Sequence, residues 1–401
     1  MKFTNNLHNI HFTYCLNIHS GETWPDTLAE IKRHVEKVKQ KTAPNKPFGI
    51  GLRLSAKAAV QLEKAHNLIN FRQYLKDSGI YVFTINGFPY GDFHKGRIKT
   101  DVYCPDWATD KRLEYTKRLA RILCALMPEN ITGSISTVPG SYREWVNTQQ
   151  KYERIVSNLI RMALYCQRAE EDTGKRVRIA LEPEPDCLWE NVADIKRLFK
   201  EDLPEIIRET LKYSGGEVSE ETLYSVVKKY FGICYDTCHQ SVLFEDPVAD
   251  IQELQQNNIE IPKIQLSSAL KCKTDQKSLQ DLQDFAENTY LHQTVIKNGS
   301  DKITRYPDLA PAIKSLTENP DSTKELRTHF HVPLHQTQYS SLKSTRDDLT
   351  EEFFTLLREG ASQHIEVETY SFSSIPEQHR QTDVTSSIVE EMKWGIGSLQ
   401  P

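Results

Sequence analysis

The chain has 401 residues, 38% hydrophobic and 26% charged, with a formal net charge of -5. That length suffices for a substantial core. Lys and Arg are spread beside Glu and Asp, which argues against nucleic acid, whose phosphates require a concentrated basic face.

No apolar run approaches the roughly 20 residues of a membrane span. The opening Met-Lys-Phe-Thr-Asn-Asn lacks the apolar core of a secretion signal, so a cytoplasmic protein is expected. The eight cysteines (Cys15, Cys104, Cys124, Cys166, Cys187, Cys234, Cys238 and Cys272) form no close CxxC pair. They read mainly as buried thiols in a reducing compartment. The sequence sets no oligomeric state.

A short apolar run followed by an amphipathic helix recurs along the chain. The first strand is expected over Ile10 to Ile18, with a helix from about Asp26, placed as its N-cap, to Lys41. Strand two spans Phe48 to Leu54, and a helix from Ser55 ends at Gly79. Strand three, Ile80 to Ile85, closes at Asn86-Gly87. A polar-aromatic loop over about 87–108 carries Tyr90, His94, Tyr103 and Trp107; a loop this long and aromatic suggests a substrate lid.

Strand four covers Ile131 to Thr137, strand five Val177 to Leu181, strand six Gly232 to Tyr235, and strand seven Lys263 to Ser267. Long helical patterns separate them. Such alternation without a Gly-rich phosphate loop predicts an α/β fold, a single (β/α)8 TIM barrel over residues 1–401. A hairpin turned at Asn298-Gly299 then interrupts the pattern, marking a β-hairpin-containing insertion at about 268–325. Two further strand-like runs, Thr328 to Leu334 and His364 to Phe372, make nine candidates for eight places.

Four polar clusters fall where strands are expected to end: Glu182-Pro-Glu184, Asp236-Thr-Cys-His239, His329-Phe-His331 and Glu366-Val-Glu368. Barrel loops converge on one cavity at those ends. Residues two apart on a strand share a face, which pairs His329 with His331 and Glu366 with Glu368. Carboxylates and imidazoles together suit Mn, Co, Zn or Mg. Each cluster also has a plain structural role open to it. Glu182 can pair with a neighbouring cation, Asp236 can cap a helix that starts with His239, the histidines can be hydrogen-bonded core, and one of Glu366 and Glu368 can be structural.

With Glu182, the Asp236-x-x-His239 step and Glu368, the chain resembles the xylose isomerase-like barrels. That superfamily contains sugar isomerases and epimerases and the AP endonuclease 2 group. Tyr14-Cys-Leu-Asn-Ile-His-Ser-Gly-Glu22, Asn86-Gly-Phe-Pro-Tyr-Gly91, Leu181-Glu-Pro-Glu-Pro-Asp186 and His329-Phe-His-Val-Pro333 resemble more specifically the EboE metabolite-traffic proteins. The resemblance implies that Glu182 and Glu368 bind a divalent metal and move a proton, that Asp236 is a metal ligand, and that His239 touches substrate oxygen. It places Gln265 where the superfamily has a histidine ligand, so His331 or His329 is the alternative nitrogen ligand. His19, Asn17, Lys271, Glu184 and Tyr90 are the candidate contacts to a small-molecule substrate.

Three functions follow as expectations. The first is a metal-dependent isomerase or epimerase of a small sugar or polyol-like metabolite. The second is a metabolite-binding or traffic protein of the EboE type. The third is a metal-dependent phosphoesterase.

Overall fold

The computed structural model describes residues 1–5, 8–92, 94, 96–212 and 218–400. Eight parallel strands form the barrel: β1 (His8–Tyr14), β2 (Phe48–Arg53), β3 (Ile80–Asn86), β4 (Gly133–Thr137), β5 (Val177–Leu181), β6 (Phe231–Asp236), β7 (Lys263–Leu266) and β8 (His364–Val367). Each pairs with its successor from β2 to β8, and β8 returns to pair with β1. The last seam, between β1 and β2, is closed by a bridge between Cys15 and Gly51. The Thr13 hydroxyl also donates to the Gly49 carbonyl at 2.6 Å. The short strand Lys2–Asn5 lies antiparallel along the outside of β1. Among the described residues, no helix is long and apolar enough to cross a membrane.

The local chemistry explains the elements. The helix Asp110–Leu126 buries Leu113, Leu119, Ile122, Leu123 and Leu126 along one stripe, the spacing of a helix laid on a sheet. The helix Gln149–Thr173 starts where Thr148 accepts from the Lys151 amide and ends at Gly174, whose φ of 70° suits a left-handed cap. Among the boundaries that differ from the sequence reading, two have a clear local cause. Thr23, not Asp26, caps the helix Trp24–Glu30; Asp26 is the reciprocal partner, its carboxylate accepting from the Thr23 amide. The first strand stops at Tyr14 because Leu16–Ile18 turns into a 3-10 helix.

The nine candidates for eight places resolve through pairing. The run after Thr328 does not close the barrel; His364–Val367 does. A second, wholly antiparallel sheet of six strands lies between β7 and β8 in the chain. Its order is Ile303–Tyr306, Thr294–Lys297, Glu325–Thr328, Leu270–Lys273, Leu342–Ser344 and Gln338–Tyr339. The excursion therefore extends past residue 325 to Ser344. Its own apolar core includes Leu270, Leu282, Ile296, Leu326 and Phe330.

The loop after β3 is pinned at its base by Arg112. This fully buried guanidinium donates to the carbonyls of Pro105 (2.7 Å), Gly87 (2.8 Å) and Phe88 (2.9 Å). A cation serving three main-chain acceptors gives the loop a fixed origin.

Candidate active site

The polar side chains converge because their strands end together. Glu182 follows β5, and its amide donates to the Thr137 carbonyl at the end of β4 (3.1 Å). Asp236 ends β6 and at the same time caps the helix Thr237–Val242. Its Oδ1 accepts from the His239 amide (3.0 Å) and from the Ser267 hydroxyl (2.8 Å). The capping role and the site role are thus one arrangement, with His239 delivered by the first turn. Glu368 follows β8, its amide donating to the Leu266 carbonyl (3.0 Å). One carboxylate oxygen from each of Glu182, Asp236 and Glu368 lies within 4.8 Å of the others.

Two amides steady Glu368: Asn17 Nδ2 donates to its Oε1 at 2.6 Å and Asn86 Nδ2 at 2.9 Å. Glu184 Oε1 accepts from the Tyr103 hydroxyl (2.6 Å) and from Gln293 Nε2 (3.3 Å). His239 Nδ1 donates to the Pro183 carbonyl (3.1 Å), and its Nε2 lies 3.9 Å from Asp236 Oδ1. Burial opposes a charge on the ring, but Asp236, Glu184 and Glu182 raise its pKa above the usual value.

The two remaining histidines face each other. His331 Nδ1 donates to the Glu368 carbonyl (3.0 Å), and His329 Nδ1 bonds Gln293 Oε1 (2.7 Å). The Gln293 amide nitrogen serves the Tyr103 hydroxyl and the Pro185 carbonyl, which orients its oxygen toward His329. Both Nε2 atoms then present lone pairs at 3.1 Å. His329 and His331 meet as expected, but on the stretch after the strand Glu325–Thr328 rather than on a strand face.

Burial sets the charges. It pushes Glu182 up to about 8, with Asp236 adding to the rise, and pushes Glu368 well up, with Glu182 adding. Burial holds His331 down at about 4, so its ring is neutral. Burial also opposes the charge on Asp236, but the His239 ring and the His239 amide pull it below the usual range. Glu182 Oε2 and Asp236 Oδ2 are buried without a hydrogen-bond partner. Crowded carboxylates, unpartnered oxygens and facing nitrogen lone pairs form a donor set that fits a divalent cation.

Several of these groups line one cavity. Asn17, Glu182, Glu184, His239, His329 and Glu368 line it, as do Tyr103 from the expected lid loop and Asn86, Tyr290 and Tyr370, which the sequence does not mark as site residues. In the sequence Asn86 reads only as the turn that closes β3.

Four expected residues lie elsewhere. Gln265 sits inside the barrel, accepting from Cys234 Sγ at 3.1 Å; Ser267 holds the mouth position of β7. Lys271 belongs to the second sheet and pairs with Asp347 at 2.5 Å. Tyr90 packs its ring edge against Tyr115, with centroids 5.1 Å apart. His19 lines a separate cavity.

The opposite wall is apolar: Phe88, Pro89, Ile98 and Val102 from the loop, and Leu291 from the second sheet's approach. Loop and approach are latched. The amides of Ile98 and Lys99 donate to the Thr289 carbonyl (2.8 and 3.0 Å), and Lys99 Nζ donates to Asp308 Oδ2 and the Tyr290 carbonyl, both at 2.7 Å. Glu287 shapes the same turn, accepting from the amides of Thr289 (2.6 Å) and Tyr290 (2.7 Å) and lying 3.0 Å from His292 Nε2.

Burial opposes the charge on Glu287, but His292 and those amides outweigh it and draw the carboxyl down to about 2 from 4.5. A carboxyl depressed by folding contributes stability above the unfolded value, lost as pH falls through the folded one. The stability difference between the parent and Glu287→Gln, measured by urea unfolding, is expected to be constant near neutrality and to shrink between pH 4.5 and about 2.

No family model matches the chain, and no curated protein matches it. A xylose isomerase domain protein from Alicyclobacillus acidocaldarius is 9% identical, with 97% of this chain and 98% of that chain covered and a TM-score of 0.46. A D-tagatose 3-epimerase-like protein is 11% identical, with 97% and 98% covered and a TM-score of 0.49. IolI with a bound zinc atom is 12% identical, with the same coverage and a TM-score of 0.49. The strand order and its closing bridge establish the barrel on their own. The structural neighbours of this chain are xylose isomerase-like TIM-barrel proteins.

Proposed function

We propose that the chain is a divalent-metal-dependent isomerase or epimerase of a small sugar or polyol-like metabolite. One observation carries the reading: Glu182 and Glu368 border a single cavity, one oxygen of each lies within 4.8 Å of one from Asp236, and carboxylate oxygens of Glu182 and Asp236 lack a hydrogen-bond partner. Glu182, Asp236, Glu368 and His331 would hold the ion, which supplies polarisation of a substrate carbonyl or hydroxyl oxygen. Glu182 and Glu368 exchange a proton with the carbon beside that oxygen, one removing it and the other returning it. Asn17 and Asn86 hold Glu368 in place for this task. His239 orients a substrate oxygen through Nε2. The apolar loop wall keeps water from the reacting carbon.

Elemental analysis of the purified protein is expected to find about one equivalent more of Mn, Co, Zn or Mg than in Asp236→Ala. The same metal content in both proteins would overturn the site. Substrate screening among ketoses and sugar phosphates in deuterated water then reads incorporation at carbon.

A second reading, binding of a metabolite without turnover, draws on Ser267, which supplies no imidazole from the end of β7. It predicts tight binding with no exchange of substrate hydrogen.

A further inference from the structure

Outside the barrel mouth, His19 and Glu30 line a small cavity of their own, and His34 lies beside them. His19 ends the 3-10 turn after β1, and Glu30 and His34 come from the following helix. One ring nitrogen of each histidine and one Glu30 oxygen lie within 4.8 Å of one another. His34 lies in a five-residue π-helical stretch, Ile31–Val35. Such single-turn irregularities in α-helices often occur at functional sites. Here the rings of His19 and His34 stack with centroids 4.3 Å apart and planes at 13°.

Both rings are oriented from outside. The Tyr14 hydroxyl bonds His19 Nε2 at 3.2 Å, and Thr385 Oγ1, at the start of the C-terminal helix Val384–Leu399, bonds His34 Nδ1 at 2.7 Å. His34 Nε2 then faces Glu30 Oε2 at 3.2 Å. A histidine whose second nitrogen is anchored by a neighbouring oxygen is arranged as metal ligands usually are.

We infer that His19, His34 and Glu30 form a second cation site, for Zn²⁺ or a similar borderline transition metal. Two imidazoles and one carboxylate with an open fourth position suit that class of ion. Tetrahedral zinc with bonds of about 2.0–2.1 Å places its ligands about 3.3 Å apart, so one of the two stacked rings turns out of the stack to aim its nitrogen at the ion. Binding needs the lone pair of His34 Nε2, so the ring proton moves to Nδ1, where Thr385 Oγ1 accepts it. Arg53 also lines the cavity, and NH1 donates to the Gly21 carbonyl at 2.8 Å. Its charge favours water or an anion at the open position. The ion ties the turn that carries Asn17, which holds Glu368, to the C-terminal helix through Thr385.

Equilibrium dialysis of the full chain against Zn²⁺ tests the site, using Asp236→Ala as the background so that the barrel site does not contribute. The Asp236→Ala protein is expected to bind about one equivalent, and to lose it on adding either His34→Gln or Glu30→Gln. Zn²⁺ is also expected to raise the melting temperature of Asp236→Ala, but not that of Asp236→Ala/Glu30→Gln. The same stoichiometry and the same melting shift in all three proteins would overturn the inference. So would no bound zinc in the Asp236→Ala parent, in which case Glu30 and His34 are simply an ion pair one helical turn apart. If His34→Gln fails to fold, Glu30→Gln decides, because the amide keeps the shape of the Glu30 side chain, which is 19% exposed.

Discussion

Glu182→Gln and Glu368→Gln are each expected to reduce turnover by about 10²–10⁴-fold, the usual contribution of a positioned acid or base. The amide has nearly the same shape, so the cavity and the contacts of Asn17 and Asn86 are altered little. A proton that must leave one face of the substrate and return on another needs both carboxyls. The two variants should therefore fail alike, and the double variant little more than either single one. Far-ultraviolet circular dichroism and the melting temperature serve as folding controls, and solvent deuterium incorporation reads the half-reaction. A variant that still incorporates deuterium while failing to complete turnover marks the other glutamate as the base. Full activity in both would remove proton transfer between these residues from the mechanism.

The largest expected loss of stability lies beneath the site. Lys263 and Glu366 are wholly enclosed in the barrel, with Nζ 3.0 Å from Oε1. Lys263 also donates to the Ser136 hydroxyl at 3.3 Å. Neither Glu366 oxygen has an aligned hydrogen bond, so the pair is held by charge. Lys263→Met leaves the carboxylate unpaired in an apolar interior, which costs about 3–5 kcal/mol. Urea unfolding of Lys263→Met, Glu366→Gln and the double variant measures this. The double variant is expected to recover most of the loss, because the expensive species is the lone charge rather than the missing pair. A single-variant cost under about 1 kcal/mol would mean that Glu366 takes up a proton when its partner is gone.

Much of the barrel was legible because seven strands alternate with helices whose apolar faces follow simple periods. Val177–Leu181 appears in the structure with the bounds read from sequence. The carboxylates Glu182, Asp236 and Glu368 were legible as well, since a strand end fixes where a side chain can point. What escaped depended on distant partners. Lys271 has the charge of a substrate contact, but Asp347, 76 residues away, takes it. Gln265 was placed at the mouth, although a four-residue strand leaves it one layer inside, with Ser267 at the rim. Glu366 and Glu368 share a face and look equivalent in sequence; only the position of Lys263 separates a structural carboxylate from one in the site. The second sheet misled because its pairings connect residues as far apart as Leu270 and Ser344, which no local pattern encodes.

The joint between β1 and β2 bears on how the barrel comes apart. Six residue pairs join β2 to β3, whereas one bridge and the Thr13 hydroxyl join β1 to β2. The Glu366 carboxylate presses against this joint from within, in the space that any side chain at Gly51 would take. Denaturation would start by parting these two strands, the edge with the fewest shared main-chain bonds. Water would then reach the buried Lys263–Glu366 charges early, at the moment when their solvation most favours the open form.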